Sequence, residues 1–208
     1  MKRIIQLMTL FVAIAIVIVS CASPKPQQTI DNLKAAITGE TGASANYQAF
    51  SANAAESGYY NIAKMFAAAS AAEAIHVRNH NAVLVKLDEE EFYPIAATPA
   101  VNSMAENLQK AIEGEIYEYT VMYPGFIITA ETEKCAEAIR SFTWASEAEE
   151  VHAGLYAKAL EILMTTENDE TVAQEWHVCP KCGNLFDSIE EADECPLCAT
   201  KVSAFWRF

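Results

Sequence analysis

This sequence is short of positive charge. Its 208 residues hold 14 Lys and Arg against 28 Asp and Glu, a formal net charge of −14. That balance argues against a nucleic-acid binder, because phosphate backbones demand clustered Lys and Arg. Cysteine is too sparse and too unevenly placed for a disulfide framework: of six, four stand in two close pairs, while Cys21 and Cys135 stand alone. A membrane-spanning length of apolar sequence is missing as well. The apolar run at residues 4–19 falls short of the ~20 residues that a comfortable span requires. Apolar material is otherwise ample. Hydrophobic residues make up 52% of the chain, enough for one sizeable helical domain and one small one.

What the chain does have is a motif that occurs twice. Glu73-Ala-Ile-His76 and Glu149-Glu-Val-His152 both read Glu-x-x-His, and each follows a Gly-Glu pair in an amphipathic run. Glu40, after Gly39, stands 33 positions before Glu73, and Glu115, after Gly114, stands 34 before Glu149. A Glu and a His at i and i+3 share one helix face. Two such helices, with a partner Glu from each of two others, make the inward-facing ligand set of a di-iron carboxylate bundle. Four carboxylates and two imidazoles are too costly to bury without a compensating cation. The pattern therefore asks for two metals, and bound cations would neutralise part of the acidic excess.

The C-terminal end carries Cys179-Pro-Lys-Cys182-Gly and Cys195-Pro-Leu-Cys198, two Cys-x-x-Cys pairs with 12 residues between them. Each knuckle offers two thiolates to one side of a tetrahedral ion, the arrangement of a four-cysteine iron or zinc site. The segment around them is too small to hold a core without metal, and Trp176, Phe186, Phe205 and Trp206 are expected to pack around it. Cys135 reads as a small buried hydrophobe. His80, one turn beyond His76, and His177, beside the first knuckle, read as neighbours of the sites or surface residues rather than ligands.

Helical periodicity predicts four helices at about residues 29–57, 59–87, 101–122 and 127–164, the third stopped by Pro124-Gly125. The stretch 92–99 holds two prolines and is expected to cross the end of the bundle. Helices one and two repeat the motif order of three and four, which suggests two pseudo-symmetric hairpins. Residues 165–174 are polar and acidic, as in a linker.

The N-terminus reads as a targeting segment, with Lys2-Arg3 before the apolar run. Ile18-Val-Ser-Cys21 resembles the lipobox of bacterial lipoprotein signal peptides, which implies lipidation of Cys21. The expected organisation is a signal peptide at 1–20, a tether at 21–28, a helical metal domain at 29–166 and a cysteine domain at 175–208. Loss of residues 1–20 would remove Lys2 and Arg3 and take the formal charge from −14 to −16. The expected location is the cell envelope, lipid-anchored and facing the periplasm or exterior, with an uncleaved N-terminal anchor as the alternative.

Taken together, Gly39-Glu40, Glu73-x-x-His76, Gly114-Glu-Ile-Tyr-Glu118, Met122-Tyr-Pro124, Glu149-x-x-His152 and the two knuckles resemble the rubrerythrin family over nearly all of the chain after the tether. The resemblance implies an all-α ferritin-like four-helix bundle with a small, β-rich, rubredoxin-like (zinc-ribbon-like) C-terminal domain. It implies a di-iron centre with Glu73 and Glu149 bridging, Glu40 on one iron, and Glu115 and His152 on the other. Glu118 and His76 would exchange as ligands of one iron with redox state. Cys179, Cys182, Cys195 and Cys198 would hold a mononuclear iron, or zinc. By their residue type, Tyr47 and Tyr123 read either as hydrogen-bond partners of ligands or bound peroxide or as plain core tyrosines filling the bundle interior. The implied activity is a peroxidase that reduces hydrogen peroxide to water, with electrons from an unidentified donor relayed through the cysteine-bound iron. The linker of about ten residues looks too short to bring the cysteine site back to its own bundle, and the resemblance implies head-to-tail pairing of subunits, so a homodimer is expected. The stretch Thr41-Gly-Ala-Ser-Ala-Asn46 departs from the family by lacking a basic residue after Glu40. Two other readings stay open: a ferroxidase or iron-handling protein, and a lipid-anchored electron-transfer module with an inert bundle.

Overall fold

The computed structural model describes residues 25–189 and 193–208, so Cys21 and the segment 1–20 lie outside it. Two helical hairpins make the bundle. α1 (Gln27–Glu56) and α2 (Tyr60–Lys86) form the first; α3 (Met104–Tyr117), a π turn (Glu118–Met122), α4 (Tyr123–Thr132) and α5 (Ala136–Thr166) form the second. A three-stranded antiparallel sheet follows, with β1 (His177–Val178) between β2 (Leu185–Phe186) and β3 (Trp206–Arg207). The expected class, a helical ferritin-like bundle with a small β-containing metal domain, is the one observed.

The helix ends are closed by groups distant in sequence. The Glu133 carboxylate accepts from the backbone N–H of Gln28 (3.2 Å) and Thr29 (2.7 Å), the first turn of α1. Asp169 does the same for α2, accepting from Asn61 (2.6 Å) and Ile62 (3.0 Å). α3 instead carries its own capping box, Ser103 with Glu106.

Two expectations are corrected. Pro124-Gly125 does not stop the third helix; the chain runs through it to Thr132. The π turn just before Pro124 already breaks the regular ladder, so proline's missing N–H falls in the first turn of α4, where it costs little. The true break is at Lys134, in the left-handed region at φ 59. Lys134 N–H reaches Glu131 O and Cys135 N–H reaches Ala130 O, the paired closure of a Schellman motif. No glycine marks this turn.

The second correction concerns the crossover. α3 begins beside α1's C-terminal end, where Asn107 donates to Asn53. The chain leaving α2 must therefore travel back along a helix about 40 Å long at 1.5 Å per residue. It runs along the α1–α2 face rather than across the end of the bundle. Asn81 holds it by accepting from Phe92 N–H (2.7 Å) and donating to Phe92 O (3.0 Å), and Tyr93, Pro94 and Ala96 lie over α1 and α2.

Two apolar clusters fill the bundle. One contains Ile30, Leu33, Ile37, Leu84, Tyr123 and Phe142; the other contains Phe50, Met65, Phe66, Leu108, Tyr156 and Trp176. Along α1, Glu40 falls between Ile37 and Tyr47; along α5, Glu149 and His152 fall between Ala145 and Tyr156. The polar layer thus sits between two dry halves. Cys135 is buried in the first cluster, as its small apolar character suggests.

Candidate metal centres

Six side chains from four helices meet in that layer. Glu40 (α1), Glu73 and His76 (α2), Glu115 (α3), and Glu149 and His152 (α5) are all essentially without solvent contact. Their ligand atoms form two overlapping groups, each within 4.8 Å: Glu40, Glu73, His76 and Glu149, and then Glu73, Glu115, Glu149 and His152. Glu73 and Glu149 belong to both, which is the topology of two ions sharing two carboxylates. Both imidazoles aim Nδ1 inward. His76 Nδ1 lies 2.8 Å from Glu149 and 3.0 Å from Glu73; His152 Nδ1 lies 2.7 Å from Glu149 and 3.4 Å from Glu73.

Much of this approach lacks hydrogen-bond geometry. Among the described residues, Glu40 Oε2, Glu73 Oε1, both Glu149 carboxylate oxygens and His152 Nδ1 are buried without a hydrogen-bond partner. Buried polar atoms are almost always paired, so a convergent set of orphans fits a cation between them. Without one, charge is strained. Burial holds Glu115 well above the usual carboxylate range, and the Glu149 and Glu73 charges add to the shift. Burial works against the His152 imidazolium, but the Glu149 carboxylate prevails and pushes it up to about 10.

Glu118 lies outside both groups while His76 lies inside. Its placement follows from the π turn. Glu40 precedes Tyr47 by seven positions and Glu115 precedes Tyr123 by eight, and the π turn absorbs the extra residue. Both tyrosines then reach across to the other hairpin, Tyr47 OH donating to Glu115 and Tyr123 OH to Glu40. His80 joins this network. Burial, with the His76 charge, holds it down at about 3, so it is neutral. Its Nε2 is 3.1 Å from Tyr123 OH and its Nδ1 2.8 Å from Ser141 Oγ. Because Tyr123 gives its proton to Glu40, its oxygen accepts from His80 Nε2–H, and Ser141 donates to Nδ1.

The four cysteine sulfurs also lie within 4.8 Å of one another. Cys179 and Cys198 are 3.4 Å apart and Cys182 and Cys195 3.5 Å, near the ~3.8 Å between thiolates at 2.3 Å from one tetrahedral ion. Thiols this close divide their protons unevenly: bonds from Cys182 and Cys195 hold Cys179 far below the thiol range, while Cys195, bonded to Cys179, is pushed up to about 11. Of the four expected aromatics, only Phe186 and Phe205 pack here, their ring centroids 5.1 Å apart. Trp176 is drawn into the bundle core and Trp206 is 43% exposed. Trp144 of α5 and Leu197 take their places. His177 is buried beside Glu175 (3.1 Å) and holds no place in the cluster.

The sequence profile of the rubrerythrin family matches residues 31–160. Nigerythrin from Nitratidesulfovibrio vulgaris is 40% identical over 177 residues, 85% of each chain, and Rubrerythrin-2 from Clostridium acetobutylicum is 34% identical over 89% of this chain and 100% of its own. The chain belongs to the rubrerythrin family. The solved structure of fully reduced, all-ferrous nigerythrin superposes with a TM-score of 0.79 at 39% identity, over 86% of each chain. A Mycobacterium tuberculosis bacterioferritin shares the fold alone, with a TM-score of 0.61 at 17% identity and 66% of this chain covered. As a rubrerythrin, the chain has a di-iron site in its carboxylate–histidine layer and a rubredoxin-like site in its cysteine cluster.

In this rubrerythrin the cysteine site docks on its own bundle, which corrects the expectation that the linker is too short. Residues 167–176 are not slack: Asp169 is bound to α2, and Lys64 donates to Gln174 O (2.8 Å). The first knuckle then lies against α2, where Arg78 donates to Pro180 O (2.5 Å) and Asn79 to Lys181 O (2.8 Å). His76 Nε2 is 3.0 Å from Cys182 O and His152 Nε2 3.2 Å from Gly183 O. With Nδ1 facing the metal layer, each Nε2–H donates to a knuckle carbonyl, the usual way a ligand histidine is oriented. Gly183 makes this fit possible. Its φ is +84, and a Cβ there would stand 2.3 Å from His76 Nε2.

Arg78, Asn79, Gly183, Trp144 and Asp169 were not legible as site residues. Only the Cys182-Gly183 pair hinted at it, since a glycine after a knuckle cysteine commonly turns the chain.

Proposed function

We propose that this chain is a non-haem di-iron peroxidase that reduces hydrogen peroxide to two waters, taking two protons and two electrons. The observation that carries the reading is the double link between the centres. Each ligand histidine is hydrogen-bonded to the backbone of the cysteine knuckle, so the one-electron site touches both metal positions. An iron-storage role gives no reason for such a link. On this reading Glu73 and Glu149 would be shared by both ions, Glu40 and His76 would help hold one, and Glu115 and His152 the other. Bound there, two irons supply two electrons together to an O–O bond. Tyr47 and Tyr123 hold the terminal carboxylates Glu115 and Glu40 in place. Glu118, half-buried beside the layer, would be the alternative ligand for the His76 position.

Reduced, iron-loaded protein is expected to be oxidised by one equivalent of hydrogen peroxide, faster than by dioxygen, in stopped-flow absorption. Absence of fast oxidation would sink the reading. The link has its own check: Gly183→Ala, which pushes the knuckle off His76, should slow re-reduction of the di-iron site through the cysteine iron by about tenfold or more, and by more than it slows peroxide oxidation of the reduced site.

The homodimer usual in this family is our proposal for assembly, but the link lies within one chain and needs no partner copy. Lipidation of Cys21 and a cell-envelope location rest on the sequence; a diacylglyceryl mass on the Cys21 peptide would test them. No helix among the described residues is long and apolar enough to cross a membrane. The electron donor is left unassigned.

A further inference from the structure

Three glycines sit inside helices around the metal layer: Gly39 and Gly42 on α1 and Gly114 on α3. Each costs about 0.5–1 kcal/mol against alanine. Helical glycines commonly allow close approach of a neighbouring helix, but that reason fails for two of these. A Cβ built on Gly42 or Gly114 would meet no atom within 4 Å among the described residues. α1 and α3 hardly touch. Between them lies a groove of about 290 Å³, walled by Gly42, Ala43, Phe50, Ala111 and Gly114, and floored by Tyr47, Glu115 and Glu118.

A second observation points into it. Glu118 Oε2, at the floor, is buried with no hydrogen-bond partner among the described residues. The opposite side of the layer is shut, because Cys182 O and Gly183 O cover His76 and His152. From the stretch Thr41-Gly-Ala-Ser-Ala-Asn46, Gly42 and Ala43 supply the small residues along the α1 wall.

We propose that the α1–α3 groove is the substrate entrance of the di-iron site and that it admits organic hydroperoxides with a short apolar tail alongside hydrogen peroxide. This rests on the peroxidase reading. Hydrogen peroxide needs little more than the ~30 Å³ share of one water, and the groove is several times larger. The surplus is lined by Gly42, Ala43, Phe50 and Ala111, which suit a short alkyl group, while Thr38, Asn46 and Lys110 add polar groups to the lining. The reaction is ROOH + 2 e⁻ + 2 H⁺ → ROH + H₂O. The O–O bond breaks, one oxygen leaves in the alcohol and the other in water. The electrons come from the same one-electron donor, delivered twice through the cysteine-bound iron.

The test uses zinc-loaded protein, which is redox-inert, titrated with tert-butyl alcohol while backbone amides are followed by NMR. Saturable shifts at Gly42, Ala43 and Gly114, abolished in Gly42→Leu, are expected. Gly42 has helical backbone, so this substitution should not harm folding, and a thermal melt checks that. In iron-loaded protein, Gly42→Leu should slow reaction with tert-butyl hydroperoxide by about tenfold more than reaction with hydrogen peroxide, the scale on which a filled pocket discriminates. No alcohol shifts, or variant rates unchanged for both peroxides, would overturn the proposal. Failure of the wild type with hydrogen peroxide would instead sink the peroxidase reading and the substrate half with it. The alcohol shifts report separately on whether the groove takes an apolar tail.

Discussion

Tyr47 and Tyr123 have mirrored roles but unequal surroundings. Each donates across the bundle to the other hairpin's terminal glutamate. Tyr123 also accepts from His80, which is held in turn by Ser141. Removing the Tyr123 hydroxyl therefore frees Glu40 and strands a buried His80 N–H, whereas removing that of Tyr47 frees Glu115 alone. A stranded buried donor costs about 1–3 kcal/mol. Tyr123→Phe is accordingly expected to destabilise the iron-loaded protein by about that much more than Tyr47→Phe, as read by chemical denaturation. Equal losses would remove His80 from the network. His80 was legible only as a neighbour of His76; nothing in its spacing named Tyr123 or Ser141 as its partners, because both come from other helices.

Helix interiors were readable from periodicity, and helix ends were not. α1 and α2 begin and end within two residues of expectation, since their apolar spacing is regular and Gly58 marks the turn between them. The α4–α5 turn was missed because a lysine holds the left-handed position where glycine is usual. The π turn was missed because nothing in Glu118-Tyr-Thr-Val-Met122 breaks the helical pattern; its presence follows from Glu115 and the Tyr123 hydroxyl both having to meet one layer. Caps drawn from afar are equally silent in sequence. Asp169, in the supposed linker, closes the start of α2. Asp169→Ala is expected to lower stability by about 1 kcal/mol, the usual cost of a lost cap, and to speed amide exchange at Asn61 and Ile62. Unchanged exchange at those amides would contradict the capping role.

For the molecule as a whole, the metal layer sets how stability depends on pH. In metal-free protein His152 titrates near 10 rather than 6.5, with the Glu149 charge overcoming burial. Its contribution is fully present below 6.5 and lost as pH rises through 10. Glu40, Glu115 and Glu118 are raised by burial and act with the same sign, because the folded state keeps protons that the unfolded chain has released. His80, lowered by burial to about 3, acts oppositely, but only below 6.5. Cys179, held far below the thiol range, opposes the loss up to its ordinary value near 9, so the apo protein is expected to lose thermal stability as pH rises from 9 to 10. Metal binding releases those protons, so the stabilisation it adds should grow over the same range. Melts of apo and metal-loaded protein across that window check this; an apo curve that rises with pH would contradict it.

The sequence by itself determined which residues would meet. Glu-x-x-His puts two ligands on one helix face by geometry alone, its repetition with an upstream Glu calls for two ions, and Cys-x-x-Cys twice calls for one more. Those are local spacings, and helix and knuckle geometry convert them directly into ligand sets. Only the tertiary structure decided how the centres are joined and approached. That the knuckle carbonyls cap His76 and His152 of the same chain depends on Asp169 and Gln174 pinning the linker to α2, and on Gly183 having no side chain. That a groove reaches Glu118 depends on how far apart α1 and α3 lie. Both are distances between elements remote in sequence, set by the packing of two apolar clusters around a polar layer, and no local pattern encodes them.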